Sequence, residues 1–468
     1  MPLIKSISGI RGTIGKNGGE AFTPPEIVRF TAAFAEWVRL NSKPSPKSKL
    51  KVVVGRDSRL SGEFVLNIVK GTLMACGADV TDLGLAATPT VEIAVAMEKA
   101  NGGIIITASH NPKNWNALKL LNSSGEFLSE VAGREVLGLA EQGNFSFASV
   151  MELGVCRHDD TYTQTHIDRI LALPWVDVKA IKAKKFRVVI DAVNSVGGLA
   201  VPLLLKQLGV ADTVPLFCEP TGNFQHEAEP LPENLAQLSK TVVRNKADVG
   251  FAVDPDVDRL AIVCEDGEMF GEEYTLVAVA DYILKNKKGN TVSNLSSTMA
   301  LRDVTEKAGG SYTASAVGEV NVVEAMKKHN AIIGGEGNGG IILPELHYGR
   351  DALLGIALFL THLAKYGKSC SMLRATYPNY FISKNKIELT PELNLDKIIA
   401  GIKDKYKKYP CSTIDGLKIN FGKEWAHLRI SNTEPVIRII AESGSQTTAD
   451  NLAKKIMQDI GEQLKMKP

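Results

Sequence analysis

Four short runs of this chain carry residue types that do chemistry. In Thr107–Lys119, TASHNPKNWNALK, Ser109 stands beside His110 and ahead of the turn formers Asn111 and Pro112, with Lys119 ten residues on. A serine acts as a nucleophile only with an activating base or as the carrier of an attached group. No G-x-S-x-G surrounds it, so the strained elbow of the α/β-hydrolases is not indicated. An ordinary turn or helix-capping serine is the competing reading. In Asp254–Arg259, DPDVDR, three carboxylates alternate behind a proline that enforces an extended start. Such a set converges on one hard cation, Mg²⁺, Ca²⁺ or Mn²⁺, and a solvated acidic turn is the bland alternative. An EF-hand fails although Glu265 falls at its twelfth position. Arg259 occupies the sixth, where the sharp turn needs Gly, and strands rather than helices flank the loop.

The third run is Gly334–Gly340, GGEGNGG, whose five glycines let backbone approach a ligand while Glu336 and Asn338 offer hydrogen bonds to hydroxyls. It is not G-x-G-x-x-G, so nucleotide binding does not follow. The fourth is Arg429–Arg438, RISNTEPVIR. There Arg429, Ser431, Asn432, Thr433 and Arg438 gather guanidinium, hydroxyl and amide donors around a turn, a set that suits a phosphate.

The elements that must hold these loops are legible from periodicity. Continuous apolar runs predict strands at Lys51–Gly55, Gly103–Thr107, Arg187–Asp191, Val249–Asp254 and Ala331–Gly335. Helical spacing predicts helices over Pro25–Leu40, with Thr23 as its cap, and over Gly62–Cys76, Thr90–Lys99, Leu199–Leu208 and Asp351–Tyr366. The serine, aspartate and glycine runs each follow a predicted strand, and the C-terminal end of a strand is where open α/β sheets place ligands. Alternating strands and helices predict several α/β units. The polar stretch Asn41–Lys49 reads as a surface loop. Beyond about residue 375 the pattern changes, with strands near Ile387 and at Leu417–Asn420 and Trp425–Ile430, a helix near Leu395–Tyr406 and a final helix Ala449–Leu464. The expected domains are 1–155, 156–258, 259–370 and 371–468.

Composition narrows the class of function. At 468 residues the chain is long enough for two to four domains. Lys plus Arg total 54 against 52 Asp plus Glu, a balance that gives no reason to expect a nucleic-acid or membrane-surface partner. No apolar run is long enough to span a bilayer, and the N-terminus lacks a signal-peptide pattern. The six cysteines are all more than 40 residues apart and form no C-x-x-C, which predicts reduced thiols and a cytoplasmic location. His347, His362 and His427 lack metal-ligand spacing and are expected in core or surface roles. Arg350, just after His347, is at most a neighbour of the sugar loop.

Taken in order, these runs resemble the α-D-phosphohexomutase superfamily. The resemblance begins at Ser8–Gly12 (SGIRG), continues through Gly55–Arg59 (GRDSR), and covers nearly the whole chain. It implies four domains, three related α/β units and a smaller C-terminal α+β domain with a TATA-binding-protein-like sheet. It implies that Ser109 carries a phosphoryl group and that Asp254, Asp256 and Asp258, with an oxygen on Ser109, hold Mg²⁺. Arg259 would lie beside the transferring group, His110 and Lys119 would act as acid–base or charge-stabilising residues, and Arg11 would line the phosphoserine site. Glu336 would bind sugar hydroxyls, with Asn338 beside it, and Arg429, Ser431, Asn432, Thr433 and Arg438 would grip the non-reacting phosphate. The implied activity isomerises a hexose phosphate between its 6- and 1-phosphates through a bisphosphorylated sugar that turns over in a closed cleft. The partner is a small-molecule hexose phosphate; the oligomeric state is not readable.

The sugar is less plainly written. Phosphomannomutase/phosphoglucomutase enzymes usually carry G-E-x-S-G-H at the sugar loop, and here Glu336 is followed by Gly337, Asn338, Gly339 and Gly340, without the histidine. Asn432 stands where Gly is common. The pairing of VGEVN (Val317–Asn321) with GGEGNGG resembles an archaeal-like group assigned as phosphoglucosamine mutases, which favours glucosamine phosphate over mannose or glucose phosphate. A haloacid-dehalogenase-type phosphatase needs Thr or Val two places after its second Asp. Asp258 and Leu260 stand there in the two possible frames. A non-catalytic sugar-phosphate sensor would be expected to lack the nucleophile, a metal ligand or the clamp, and all three are present.

Overall fold

A computed structural model describes residues 3–6, 9–15, 21–42, 49–388, 395–430 and 436–465. Residues 43–48 of the expected surface loop lie outside this set, as do Ser8, Ser431, Asn432 and Thr433. The chain divides into two units, Met1–Val279 with Asn338–Arg374, and Ala280–Gly337 with Ala375–Pro468.

The first unit holds two sheets. Strands β1 (Ile4–Ser6), β2 (Gly9–Thr13), β3 (Lys51–Arg56), β4 (Asp79–Leu85), β5 (Gly102–Ile106), β6 (Trp115–Leu121) and β7 (Cys156–His158) form one, in the order β1-β2-β6-β5-β3-β4-β7. Its centre is parallel, β5-β3-β4, and the β6 hairpin partner of β5 runs antiparallel. Strands β8 (Arg187–Asp191), β9 (Asp212–Leu216), β10 (Val249–Val253) and β11 (Leu260–Cys264) form the other, in the order β11-β10-β8-β9. β3, β5 and β10 are almost wholly apolar and buried because helices cover both faces of a parallel sheet. The helix Pro24–Asn41 lays Ile27, Phe30, Phe34 and Val38 onto Val52, Val54, Ile104 and Ile106. Each such buried side chain contributes roughly 1.5–3 kcal/mol. Thr23 sits at that helix's N-cap position as expected, but its side chain makes no capping bond, and Pro24 at the first turn supplies the start.

The second unit has a parallel set, β12 (Asn290–Asn294) flanked by β13 (Tyr312–Ser315) and β14 (Ala331–Glu336). Strand β15 (Gly340–Ile342) belongs to the first unit. The second unit ends in an antiparallel sheet of β16 (Phe381–Glu388), β17 (Cys411–Ser412), β18 (Leu417–Asn420), β19 (Trp425–Ile430) and β20 (Val436–Ser443), ordered β16-β20-β19-β18-β17. Two helices, Leu395–Lys405 and Gln446–Lys465, cover one face through Ile402, Ile456 and Ile460 against Ile419, Leu428, Ile437 and Ile439. Alternation in β18–β20 thus places one face on the core and leaves the other for chemistry. No helix among the described residues is long and apolar enough to cross a membrane.

Candidate active site

Three strand ends of the first unit meet. β5 leads into Thr107–Ser109, β3 into Asp57–Arg59, and β10 into the aspartates. Ser109 is held in the left-handed region at φ of +49°, a conformation that costs a non-glycine residue about a kcal/mol or more and needs external support. That support is a buried relay. The Ser109 amide donates to Thr107 Oγ1 (2.9 Å), Thr107 donates to Asp57 Oδ2 (2.6 Å), and Arg59 Nε donates to the same oxygen (3.0 Å). The Arg59 guanidinium also donates to the carbonyls of Ser109, Asn111 (2.6 Å), Pro112 (2.6 Å) and Trp115 (3.1 Å). A wholly buried guanidinium is retained here because its planar fork reaches Asp57 and four carbonyls of the loop at once. The GRDSR motif marked this segment in the sequence, but not its task.

The three aspartates are all fully buried, and one oxygen from each falls within 4.8 Å of the others. Val257 between them has φ of +62°, rare for a β-branched residue. The turn folds the Asp258 and Arg259 amides back onto Asp254 Oδ1, at 3.1 and 3.2 Å. Asp254 Oδ2 accepts from Ser109 Oγ at 2.9 Å. Asp256 Oδ2 accepts from Lys119 Nζ (2.7 Å) and Thr88 Oγ1 (2.6 Å), and Asp258 Oδ2 from Arg350 Nη2 (2.7 Å). Asp256 Oδ1 and Asp258 Oδ1 are buried and accept no hydrogen bond. Orphaned hard oxygens beside a serine hydroxyl and a third carboxylate are the donor set of a divalent cation, so the residues present fit one.

Electrostatics follow from this crowding. Burial first, then the charges of Asp258 and Asp256, push the Asp254 carboxyl well above its ordinary range. Burial also acts on Asp256, but Lys119 and Thr88 outweigh it and hold Asp256 below that range. Lys119 is raised in turn by Asp256 and Asp258 against its own burial. Burial and the positive charge of Arg259 push the His110 imidazole well below its usual value, and His110 Nδ1 lies 3.3 Å from Ser109 Oγ.

The expected residues Ser109, His110, Lys119, Arg259 and the three aspartates therefore come together in the first unit. Arg259 Nη1 donates to Glu229 at 3.2 Å, with its Nε 3.8 Å from Asp258. Arg11 on β2 pairs with Ala117 on β6, so it shares a sheet face with Lys119 two residues on. Asn338 is turned onto its own loop, accepting from the Gly340 amide at 3.2 Å. At Gly339 (φ +81°) a Cβ would lie 2.3 Å from the Leu260 carbonyl, so only glycine lets this loop lie against the start of β11. Arg350 reaches the aspartates themselves rather than merely flanking the sugar loop. Glu265 gives its carboxylate to Ser371, consistent with the rejected EF-hand.

In the second unit, Glu336 accepts from Asn294 Nδ2 (2.9 Å) and from the Gly318 amide (3.1 Å). GGEGNGG and VGEVN are thus joined by one hydrogen bond. The neighbouring Val317 amide donates to Asp415 (2.9 Å), and Asp415 also pairs with Arg429 (2.9 Å). Arg429 faces Arg438 directly across β19 and β20, and Arg438 faces Lys386 across β20 and β16. Three cations thus stand abreast on one sheet face, with Asp415 beside Arg429. Asp415 and Lys386 carried no motif and become visible only through strand register and loop contact.

Comparison with known proteins fits these sites. The descriptions of phosphoglucomutase/phosphomannomutase domains I, II, III and IV match residues 4–146, 164–267, 271–380 and 388–459. The chain belongs to the α-D-phosphohexomutase superfamily. It is 35% identical over 444 residues to a phosphoglucomutase/phosphomannomutase of Thermococcus kodakarensis, covering 94% of this chain and 95% of that one. It is 32% identical over 450 residues, 95% of each chain, to a protein of Methanopyrus kandleri named "Probable phosphoglucosamine mutase". A crystal structure of a phosphoglucomutase/phosphomannomutase family protein from Burkholderia thailandensis superposes with a TM-score of 0.83 at 25% identity, covering 100% of this chain and 99% of that one. The family's three α/β domains and C-terminal domain are the architecture seen here, and the chain is a phosphohexomutase, an isomerase.

Proposed function

We propose that this phosphohexomutase interconverts glucosamine 6-phosphate and glucosamine 1-phosphate, with Ser109 as phosphoryl carrier. The mutase chemistry rests on one observation, the 2.9 Å contact between Ser109 Oγ and Asp254 inside a buried aspartate set. Phospho-Ser109 gives its phosphoryl group to the free hydroxyl of a hexose monophosphate, breaking the serine P–O bond and forming the sugar P–O bond. The bisphosphorylated sugar then presents its other phosphate, which returns to Ser109. Asp254, Asp256, Asp258 and an oxygen on Ser109 would hold Mg²⁺, whose role when bound is to neutralise charge on the transferring group. His110 receives or returns the hydroxyl proton, Lys119 and Arg350 hold the aspartates in place, and Arg259 and Arg11 balance phosphoryl charge. Arg429, Arg438, Ser431, Asn432 and Thr433 grip the non-reacting phosphate, and Glu336, with Asn338 beside it, binds sugar hydroxyls. Such fixed orientation can supply roughly 7–11 kcal/mol of the barrier.

The amino-sugar choice is supported by the joined GGEGNGG and VGEVN loops and by the name of the Methanopyrus kandleri relative. The Thermococcus kodakarensis relative favours mannose or glucose phosphate as a second reading. A coupled isomerisation assay with Mg²⁺, a trace of bisphosphorylated sugar, and glucosamine, mannose and glucose 1-phosphates in parallel decides between them. A clear preference for glucosamine phosphate is expected; equal or faster turnover of mannose or glucose phosphate overturns the substrate assignment and leaves the mutase reading standing.

A further inference from the structure

Away from the aspartate loop, the first unit buries a second cluster that no step of the reaction uses. His166, on the helix Tyr162–Leu171, and His347 both turn Nε2 toward the same oxygen, Asp351 Oδ2, at 2.8 and 3.2 Å. His166 and Asp351 are fully buried, and the His347 side chain is 11% exposed. Each imidazole has a polar neighbour at Nδ1. Thr90 Oγ1 lies 3.0 Å from that of His166, and the Glu92 carboxylate lies 3.1 Å from that of His347, at ion-pair distance but out of hydrogen-bond alignment. The remaining oxygen of Asp351 accepts from the Leu354 amide (3.0 Å) and caps the helix Ala352–Tyr366. Gly349 admits Glu92, since a Cβ there would sit 1.8 Å from Glu92 Oε2.

We propose that His166, His347 and Asp351 form a second metal site, for a Zn²⁺-class ion, separate from the aspartate loop. Two imidazole nitrogens with one carboxylate select zinc, copper, nickel or iron over magnesium. A hydroxyl bonded to one ring nitrogen and a carboxylate lying behind the other are the kind of outer partners that such sites use to fix the ligand tautomer. A tetrahedron with metal–nitrogen bonds of about 2.0 Å has edges of roughly 3.3 Å. Two edges of the present set are already that short, and all ligand atoms lie within 4.8 Å of one another. The ion would tie the helices Thr88–Met97, Tyr162–Leu171 and Ala352–Tyr366 together, one residue from the Arg350 that pairs with Asp258.

The test strips the full chain with a chelator, dialyses it against dilute Zn²⁺ in a large excess of Mg²⁺, and measures bound zinc and its X-ray absorption fine structure. The expected result is one zinc ion per chain with two imidazoles in its shell, a signature the aspartate loop with its single nearby His110 does not produce. The Glu92→Gln chain should bind zinc roughly tenfold or more weakly, and the His166→Gln/His347→Gln chain should lose it. Absence of retained zinc, a shell with one imidazole or none, or undiminished zinc in the double variant overturns the proposal. If the double variant does not fold, the spectrum of the unmodified chain decides alone.

Discussion

Ser109 Oγ donates to Asp254 Oδ2 at 2.9 Å, although 145 residues separate them. The contact couples the group proposed to carry phosphate to the carboxylate most burdened by burial and by its two aspartate neighbours. Replacing Asp254 with Asn removes a like charge, so the metal-free chain should be as stable as the unmodified one or more stable. The rise in Tm on adding Mg²⁺ should vanish, and turnover should fall by roughly three orders of magnitude, the loss of several kcal/mol of charge stabilisation. Thermal melts with and without Mg²⁺, beside the isomerisation assay, check both halves.

Arg59 touches no substrate in the proposed reaction, yet it braces the Ser109 loop through Asp57 and four carbonyls. Arg59→Lys keeps the charge and loses the fork. The carbonyls the fork served are left short of donors in a buried site, at about 1–3 kcal/mol, and urea denaturation should show it. Turnover of the folded fraction should fall more than tenfold as the serine drifts from its left-handed conformation.

Much of this was legible in the sequence. The strands Arg187–Asp191, Leu417–Asn420 and Trp425–Ile430 were placed to the residue, because uninterrupted β-branched runs or clean alternation leave little choice of register. The serine and aspartate loops were found because their density of polar groups after an apolar strand has no packing explanation. What stayed hidden depends on distant pairing. Arg350 meets Asp258 across 92 residues, and Asp415 joins Val317 to Arg429 with no motif of its own. Spacing along the chain cannot register that His166 and His347 converge on Asp351 in space.

Asp415 offers a test of the second unit by itself. Asp415→Asn can keep one hydrogen bond but removes the charge that balances Arg429. The freed guanidinium and the misplaced Val317 loop should raise KM for hexose phosphate about tenfold, with kcat changed less. Steady-state kinetics of the variant separate the two parameters.

His427 gives the chain a pH-dependent stability. It is fully buried, between Ser296 Oγ (2.9 Å) and the Asp415 carbonyl (2.6 Å), and burial pushes its pKa down to about 4. An unfolded histidine titrates near 6.5. Below that pH the unfolded chain takes up a proton that the folded chain refuses, so stability present above pH 6.5 is lost as pH falls toward 4, by about 3 kcal/mol in all. Denaturation across this range should show the decline, and His427→Gln should flatten it.

The most direct test of the whole account is transfer of label from a bisphosphorylated hexose carrying radioactive phosphate to the full chain, followed by peptide mapping and a chase with unlabelled hexose monophosphate. The label should appear on Ser109, leave to the sugar on the chase, and be absent from Ser109→Ala, which should also lose isomerisation. Label on another residue, or wild-type turnover by Ser109→Ala, would contradict the role assigned to Ser109.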